Sequence, residues 1–87
     1  MGKRSSPDII ATILEAANGG IGKTRLLTKA NLTSTQLKKY MDFLLEKEFL
    51  AKCEERSSGH SAYKTTGLGL KYVALYNSIK SVLFINA

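Results

Sequence analysis

Apolar residues recur at intervals of three and four through the first half of the chain, a pattern that predicts three amphipathic helices. The first helix is expected to start at Ser6 as its cap, and its buried stripe is Ile10, Ile13, Leu14 and Ala17. The second runs from Thr24 to Ala30, and its inward-facing residues are Leu26, Leu27 and Ala30. The third runs from Thr33 to about Lys47 and buries Leu37, Met41, Leu44 and Leu45. Residues 18–22, between the first two helices, are expected to form a loop.

The second half of the chain changes from helical to strand-like spacing. Residues 49–54 and 61–65 indicate two short strands, and the serines and glycine between them predict a hairpin turn. Thr66 is expected to cap a fourth helix that runs nearly to the end of the chain. The expected fold is therefore mainly α with a small β-hairpin (α+β): a three-helix core, a two-stranded wing and a C-terminal helix.

The start of the third helix is the strongest local signal. Thr33 is followed three residues later by Gln36, the spacing at which each side chain reaches the other's backbone N–H in a capping box. Leu32 and Leu37 occupy the positions that pack together across such a cap. Asn31 tolerates the left-handed backbone that ends a helix, so a tight turn is expected before Thr33. Two helices joined in this way, the second opening with hydroxyls, an amide and two lysines, are typical of a helix-turn-helix that reads DNA.

Charge is unevenly distributed along the chain. The 13 basic and 7 acidic residues give the 87-residue chain a net charge of +6. Residues 16–41 contain no acid and five bases: Lys23, Arg25, Lys29, Lys38 and Lys39. Residues 56–87 contain no acid and four bases: Arg56, Lys64, Lys71 and Lys80. Such segregation fits a surface that meets an anion, most often nucleic acid, and it fits equally well a basic protein with no such partner.

Little in the chain indicates catalysis or a cofactor. Cys53 is the single cysteine and His60 the single histidine, so these two residue types alone cannot complete a metal site. Cys53 is expected to be a small core residue, and His60 a solvated residue of the hairpin turn with no acid to orient it. Residues 17–24 match a permissive phosphate-loop spacing, but a phosphate loop follows a buried strand, whereas a helix precedes this one. No catalytic residue, metal or cofactor is therefore expected.

The C-terminal helix carries more apolar surface than one small domain can cover. A heptad seam is formed by Leu68, Tyr72, Leu75, Ile79 and Val82. A second apolar face contains Val73, Tyr76, Leu83 and Phe84. One face is expected to meet a second subunit, with the seam as the first choice; the alternative is one broad stripe packed on the domain's own core. Lys71, Asn77 and Lys80 interrupt the apolar run, so no membrane span is expected.

Three segments carry a resemblance to a known family: residues 30–33, Tyr40-Met41, and residues 63–69. In order and spacing they resemble the small archaeal winged-helix DNA-binding proteins, which are chromatin-associated or regulator-like and some of which dimerise through a C-terminal helix. The resemblance covers roughly residues 8–79. Thr65, Leu68 and Glu48 depart from the family pattern, which more often has an aliphatic residue, a basic residue and a glycine there.

The resemblance implies a winged helix-turn-helix domain over residues 7–65, after a flexible basic arm at 1–6 and before a C-terminal helix at 66–87. It implies that the third helix enters the major groove of double-stranded DNA while the wing touches the backbone. Together with the charge pattern, it predicts these DNA contacts: Lys23, Thr24, Arg25, Ser34, Thr35, Gln36, Lys38, Lys39, Arg56 and His60. Ser34, Thr35 and Gln36 are the candidates for base contact, with helix capping as the alternative role, and the two lysines of this helix are better placed for phosphates.

The function expected from these observations is that of a DNA-binding protein, either a transcriptional regulator or a chromatin-associated protein. We expect a homodimer located in the cytoplasm on the nucleoid. The alternatives, in order, are a winged-helix module for protein–protein interaction within a larger assembly, an RNA-binding protein, and an enzyme. Interaction and RNA-binding surfaces both favour exposed aromatic side chains, whereas Tyr40 and Tyr63 are expected to be mostly internal. The sequence leaves open whether a small-molecule effector binds.

Overall fold

The computed structural model describes residues 5–54 and 61–85. Its helices are α1 (Ser6–Ala16), α2 (Lys23–Ala30), α3 (Ser34–Glu46) and α4 (Gly67–Ile85). Its strands are β1 (Ile21–Gly22), β2 (Leu50–Glu54) and β3 (Ser61–Thr65), which form an antiparallel sheet in the order β1-β3-β2. The expected α+β fold, with three helices, a hairpin and a C-terminal helix in that order, is confirmed.

The core lies where α1, α2 and α3 meet the start of the hairpin. The largest fully buried side chains are Ile13, Leu14, Leu26, Leu37, Leu44 and Leu50. The apolar stripe expected for α1 is buried throughout, and that of α3 is buried except for the half-buried Leu45. The helical spacing of the apolar residues therefore identified the inner faces correctly, since each stripe occupies one side of its helix.

The start of α1 corrects one expectation. Ser5, and not Ser6, is the cap: the Ser5 hydroxyl accepts from the Asp8 N–H at 3.3 Å, and the Asp8 carboxylate accepts from the Ser5 N–H at 3.4 Å. These reciprocal bonds form a capping box, in which the acid three residues after the cap selects Ser5. Ser6 is the first helical residue, and its hydroxyl lies 3.2 Å from that of Tyr40 in α3.

The segment expected to be a loop, residues 18–22, contains the strand β1. Ile21 pairs with Tyr63 and Gly22 with Ala62, and the Ile21 side chain is buried in the core. The chain turns from α1 into β1 through two glycines whose φ angles, +93° and +106°, disfavour residues with a Cβ. The loop expectation is wrong because a strand of two residues is too short to show the alternation by which strands are recognised.

β2 and β3 form the expected hairpin, in which Leu50 pairs with Thr65 and Cys53 with Ala62. Leu50 is buried, whereas the next three residues of β2 are exposed. β2 therefore runs from the core to the surface within one residue. The expectation that Cys53 is a core residue is wrong for this reason: its thiol lies on the exposed part of the strand.

The exit of the hairpin is tied to the end of α1. The Thr65 hydroxyl donates to the Leu14 carbonyl at 2.6 Å, and the Thr65 N–H donates to the Ala17 carbonyl at 3.1 Å. Carbonyls in the last turn of a helix lack intrahelical partners, so Thr65 caps α1 from a distant part of the sequence. A buried carbonyl left without a partner costs about 1–3 kcal/mol. This explains a hydroxyl at a position where the family pattern has an aliphatic side chain.

The first turn of α4 is fixed against the turn that follows α3. The Thr66 hydroxyl accepts from the Gly69 N–H at 3.1 Å, which confirms Thr66 as the cap, and donates to the Glu48 carbonyl at 2.6 Å. Gly69 lies so close to this turn that a Cβ on it would overlap the Phe49 carbonyl oxygen and lie 2.7 Å from the Thr65 Cγ2. Gly69 is therefore required for close approach.

α3 ends in a left-handed residue, Glu48, whose φ is +62°. The Glu48 N–H donates to the Leu45 carbonyl at 3.1 Å and the Phe49 N–H to the Leu44 carbonyl at 3.0 Å. These two bonds are those of a Schellman motif, in which glycine is the usual left-handed residue. Glu48 therefore adopts the conformation that the family pattern assigns to glycine.

The turn between α2 and α3 has the same form. Asn31 has φ +55° and ψ +53°, as expected for the residue that ends α2. Its N–H donates to the Thr28 carbonyl, and the Leu32 N–H donates to the Leu27 carbonyl, both at 3.2 Å. Only residues 31–33 separate the two helices. The tight turn of a helix-turn-helix is therefore confirmed.

α4 packs on the body of the protein through an aromatic face. The ring of Tyr72 lies between those of Phe49 and Tyr76, with centroid separations of 5.7 and 6.4 Å. The Tyr72 hydroxyl donates to the Pro7 carbonyl at 3.2 Å. Burial, and after it the negative charge of Asp8, raises the pKa of Tyr72 above its usual value. The hydroxyl therefore remains a protonated donor to α1 further into the alkaline range than an ordinary tyrosine would.

We predict that Gly69→Ala destabilises the protein by about 2 kcal/mol or more, because its Cβ has no room beside the Phe49 carbonyl. Gly67→Ala is the matched control two residues earlier: nothing lies within 4 Å of its Cβ position, and the change should raise stability by about 0.5 kcal/mol. Urea unfolding followed by circular dichroism measures both variants. Equal stability of the two would contradict the close approach at Gly69.

We predict that Glu48→Gly stabilises the protein by about 0.5–1 kcal/mol, because glycine adopts φ +62° without the steric strain of a side chain. Asn31→Gly is the control, since asparagine already tolerates this conformation and the change should bring no gain. Thermal melts compare the two variants, and 1 kcal/mol corresponds to roughly 4–8 °C in a domain of this size. A lower melting temperature for Glu48→Gly would show that its side chain contributes more than its backbone costs.

Candidate nucleic-acid interface

The outer face of α3 is mostly polar, and it is basic in its first half. Leu37, Met41 and Leu44 hold the inner face in the core. The expected outward residues are all exposed: Thr35, Lys38, Lys39, Asp42 and Glu46. Ser34 and Gln36 are exposed as well, at the helix start. The two acids follow the two lysines, so the positive charge lies toward the turn that joins α2 and α3.

The capping box at the start of α3 is present and limits what Gln36 can do. The Thr33 hydroxyl accepts from the Gln36 N–H at 3.2 Å, and the Gln36 Oε1 accepts from the Thr33 N–H at 3.0 Å. A bidentate contact to adenine needs both the oxygen and the nitrogen of an amide. Gln36 can make such a contact only if the capping box opens. Among the described residues the Thr35 side chain forms no such bond, which leaves its hydroxyl available for a ligand.

The two lysines of α3 differ in their surroundings. The Lys38 Nζ lies 3.0 Å from the Asp42 carboxylate one turn further on, and both side chains are well exposed, at 72% and 66%. Within residues 5–54 and 61–85, no ion pair is formed by Lys39. Exposed pairs of this kind contribute only a few tenths of a kcal/mol. Lys38 therefore has a weak competing partner, and Lys39 has none among the described residues.

The start of α2 presents uncapped backbone donors together with basic side chains. Gly22 occupies the cap position and supplies no side-chain bond, in contrast to the capped starts of α1 and α3. Lys23, Thr24 and Arg25 in its first turn are all exposed. Free N–H groups at a helix start attract anions such as phosphates. The arrangement fits the phosphate contacts expected for these three residues.

The wing carries two bases that the sequence reasoning did not include among the DNA contacts. Lys52 on β2 and Lys64 on β3 are exposed, and the alternation of side chains along the strands places them on opposite faces of the hairpin. The expected wing contacts Arg56 and His60 lie outside the described residues. The sequence signal that could have identified Lys52 and Lys64 was their position within the two predicted strands of a basic hairpin.

Phe43 is a third residue that the sequence reasoning missed. It lies on α3, is 43% exposed, and has the Lys47 ammonium 6.0 Å from its ring centroid. It falls one helical turn after Lys39, so the two are neighbours on the helix surface. Its position outside the apolar stripe of α3 was the sequence signal that could have identified it.

The outer face of α4 is apolar and uncovered. Of the heptad seam, Leu68, Leu75, Ile79 and Val82 are 50–62% exposed, whereas Tyr72 is half-buried against Phe49. On the second face, Val73 and Tyr76 are half-buried and Leu83 is exposed. Four of the five seam residues are therefore exposed along one side of α4, while Val73 and Tyr76 pack on the protein itself.

Other kinds of site find no support in the described parts of the chain. Among these residues, no three side chains of the metal-binding types are gathered in a group that could hold an ion. The segment with phosphate-loop spacing follows the helix α1 and not a buried strand. No described helix is long and apolar enough to cross a membrane.

A helix-turn-helix followed by a β-hairpin defines the winged-helix class of proteins, and comparison with known proteins identifies the family. The family model for winged helix-turn-helix proteins matches residues 3–84, so the chain belongs to that family. Among solved structures it is similar to Sso10a-2, a DNA-binding protein from Sulfolobus solfataricus. The TM-score is 0.81 and the sequence identity 22%, over 91% of this chain and 81% of that one. The comparison with curated proteins gave no match.

At this identity the likeness to Sso10a-2 shows the fold. It agrees with the resemblance to small archaeal winged-helix proteins noted from the sequence, which is thereby confirmed.

Proposed function

We propose that the protein binds double-stranded DNA and acts as a transcriptional regulator or a chromatin-associated protein on the nucleoid. The observation that carries the proposal is the exposed face of α3, where Thr35, Lys38 and Lys39 follow a three-residue turn from α2. In helix-turn-helix proteins the N-terminal residues of the second helix contact base edges in the major groove. The winged helix-turn-helix family and the DNA-binding neighbour support the same function.

In this proposal the bases around α3 contact the sugar–phosphate backbone. Lys23, Thr24 and Arg25 at the uncapped start of α2 bind one phosphate region, and the wing, with Arg56 and His60, binds another. The DNA-binding domain begins with the Ser5 cap of α1 and ends with the hairpin at Thr65, and α4 is the helix that assembles the protein. No catalytic step and no cofactor is part of the mechanism, which consists of electrostatic docking and groove insertion.

We further propose a homodimer formed through the seam of α4. The exposed apolar residues along one side of α4 need a cover, and a second copy of the same strip is self-complementary about a two-fold axis. Two recognition helices then face successive major grooves, about 34 Å apart. Association also stabilises the folded domain, because a chain this short buries only a small core of its own.

We predict that replacing Lys38 and Lys39 together by alanine weakens DNA binding and lowers the salt dependence. Each lost phosphate contact reduces the slope of log K against log salt by about one, for all sequences alike. Fluorescence anisotropy with random duplex DNA across a salt series measures both quantities.

The control for this variant removes the same charge from α4 by Lys71→Ala with Lys80→Ala. This control should bind DNA almost as the unmodified protein does, because the net charge falls equally but the exposed face of α3 is intact. An unchanged slope for the Lys38 and Lys39 variant would remove α3 from the interface.

We predict that Leu75→Glu with Ile79→Glu produces a monomer. Both side chains lie in the exposed seam, so a symmetric interface would contain four added carboxylates in an apolar contact. Light scattering should report half the mass, and DNA binding should weaken because the two half-sites are no longer linked.

The control places the same charges on the opposite side of α4, by Asn77→Glu with Ser81→Glu, both at exposed positions. This variant should remain a dimer. If the seam variant folds and stays dimeric, the seam does not form the interface.

A winged-helix module for protein–protein interaction is the second candidate function. The observation in its favour is Phe43, an exposed aromatic residue on the outer half of α3. Aromatic residues are enriched at the centres of protein interfaces. The DNA titration decides between the two functions. If the protein binds no duplex DNA at low salt, the interaction module, with Phe43 as its exposed contact residue, is the better explanation.

A further inference from the structure

One of the two acids on the outer face of α3 is paired with a lysine proposed to meet DNA. Asp42 occupies the exposed face of α3, and its carboxylate accepts a hydrogen bond from the Lys38 Nζ at 3.0 Å. Lys38 and Asp42 are one helical turn apart, so the pair lies on a single side of the helix surface. Lys39 projects beside it and forms no ion pair within the part of the chain that the structure describes.

Helix stability does not account for this ion pair. An i,i+4 pair stabilises a helix best when the acid precedes the base, because the acid then lies nearer the positive end of the helix dipole. Here the order is reversed: Lys38 precedes Asp42, and the acid lies in the C-terminal half of α3. The pair is also exposed, which weakens it through solvent screening. A role outside the helix is therefore the better explanation of its placement.

A carboxylate in this position acts against a DNA phosphate in two ways. It offers Lys38 an alternative partner, so a phosphate contact by Lys38 must first break the pair. It also repels the phosphates directly, over distances of up to about 10 Å at moderate salt. Both effects weaken contacts to the backbone, which are independent of sequence, and leave base contacts by Thr35 in place.

We propose that Asp42 is a specificity-determining residue that restrains Lys38 and so limits the affinity of α3 for DNA of any sequence. The inference rests on the proposed DNA binding. The proposal predicts that Lys38 and Lys39 contribute unequally to DNA affinity. Lys39→Ala should reduce affinity and salt slope more than Lys38→Ala, although the two changes remove the same charge from adjacent positions.

The test is Asp42→Asn, which removes the charge and retains the shape of the side chain. Affinity for random duplex DNA at about 0.1 M salt should rise roughly three-fold, and the salt slope should become steeper by up to about one, because the phosphate contact of Lys38 no longer competes with the ion pair. Glu46→Gln is the matched control. It removes one negative charge from the same exposed face, and no ion pair of Glu46 occurs among the described residues.

A double-mutant cycle shows whether Lys38 carries the effect. In a Lys38→Ala background, Asp42→Asn should change the affinity by less than half of its effect in the unmodified protein. Equal gains from Asp42→Asn and Glu46→Gln, or a gain that persists fully without Lys38, would show a general charge effect and overturn the proposal. Weaker binding of Asp42→Asn would also overturn it, since Asp42 would then be a base-contacting acceptor.

The proposed function can fail separately from this inference. If the unmodified protein binds no duplex DNA at low salt, the proposed function is wrong. If it binds and Asp42→Asn binds equally well, the proposed function stands and the inference about Asp42 is wrong. Circular dichroism melts of each variant confirm that the compared proteins are folded.

Discussion

The hydrogen bond from the buried Thr65 hydroxyl to the Leu14 carbonyl is the constraint on which the arrangement of this small domain depends. It joins the last turn of α1 to the last residue of the hairpin, and thereby fixes where the wing leaves the core. The neighbouring residue, Thr66, bonds the carbonyl of Glu48 and caps α4. Two consecutive threonines thus connect the end of α1, the turn after α3 and the start of α4. Each bond satisfies a backbone group that would otherwise be buried or terminal without a partner.

Much of the fold follows from the sequence because its signals are local. The capping box of Thr33 and Gln36, the left-handed Asn31 and the helical stripes all arise from residues within one or two turns of each other, and each is present in the structure. The features that sequence reasoning missed depend on distant partners. β1 exists because β3 lies beside it, and Cys53 is exposed because β2 leaves the core after one residue. Neither fact is contained in the local pattern.

In the candidate site, too, the sequence predicts where residues lie, whereas their side-chain partners become known only from the structure. The sequence was sufficient to place Lys38 and Lys39 on the outer face of α3, since that follows from helical spacing. It counted them as equal charges. The structure separates them, because only Lys38 has the Asp42 carboxylate within reach. Charge counts therefore predict that a surface attracts an anion, whereas the strength of each contact depends on which side chains already have partners.

α1 connects the helix proposed to read DNA with the helix proposed to form the dimer. Near its start, the Ser6 hydroxyl lies 3.2 Å from the Tyr40 hydroxyl of α3, and the Pro7 carbonyl accepts a bond from Tyr72 of α4 at 3.2 Å. At its other end, Thr65 holds α1 to the hairpin. In a two-fold dimer, the distance between the two recognition helices depends on the angle between α3 and α4 within each protomer. Hydrogen bonds that attach both helices to the same end of α1 restrict that angle. The spacing of the two DNA half-sites would therefore be set by the core of the domain as much as by the interface itself.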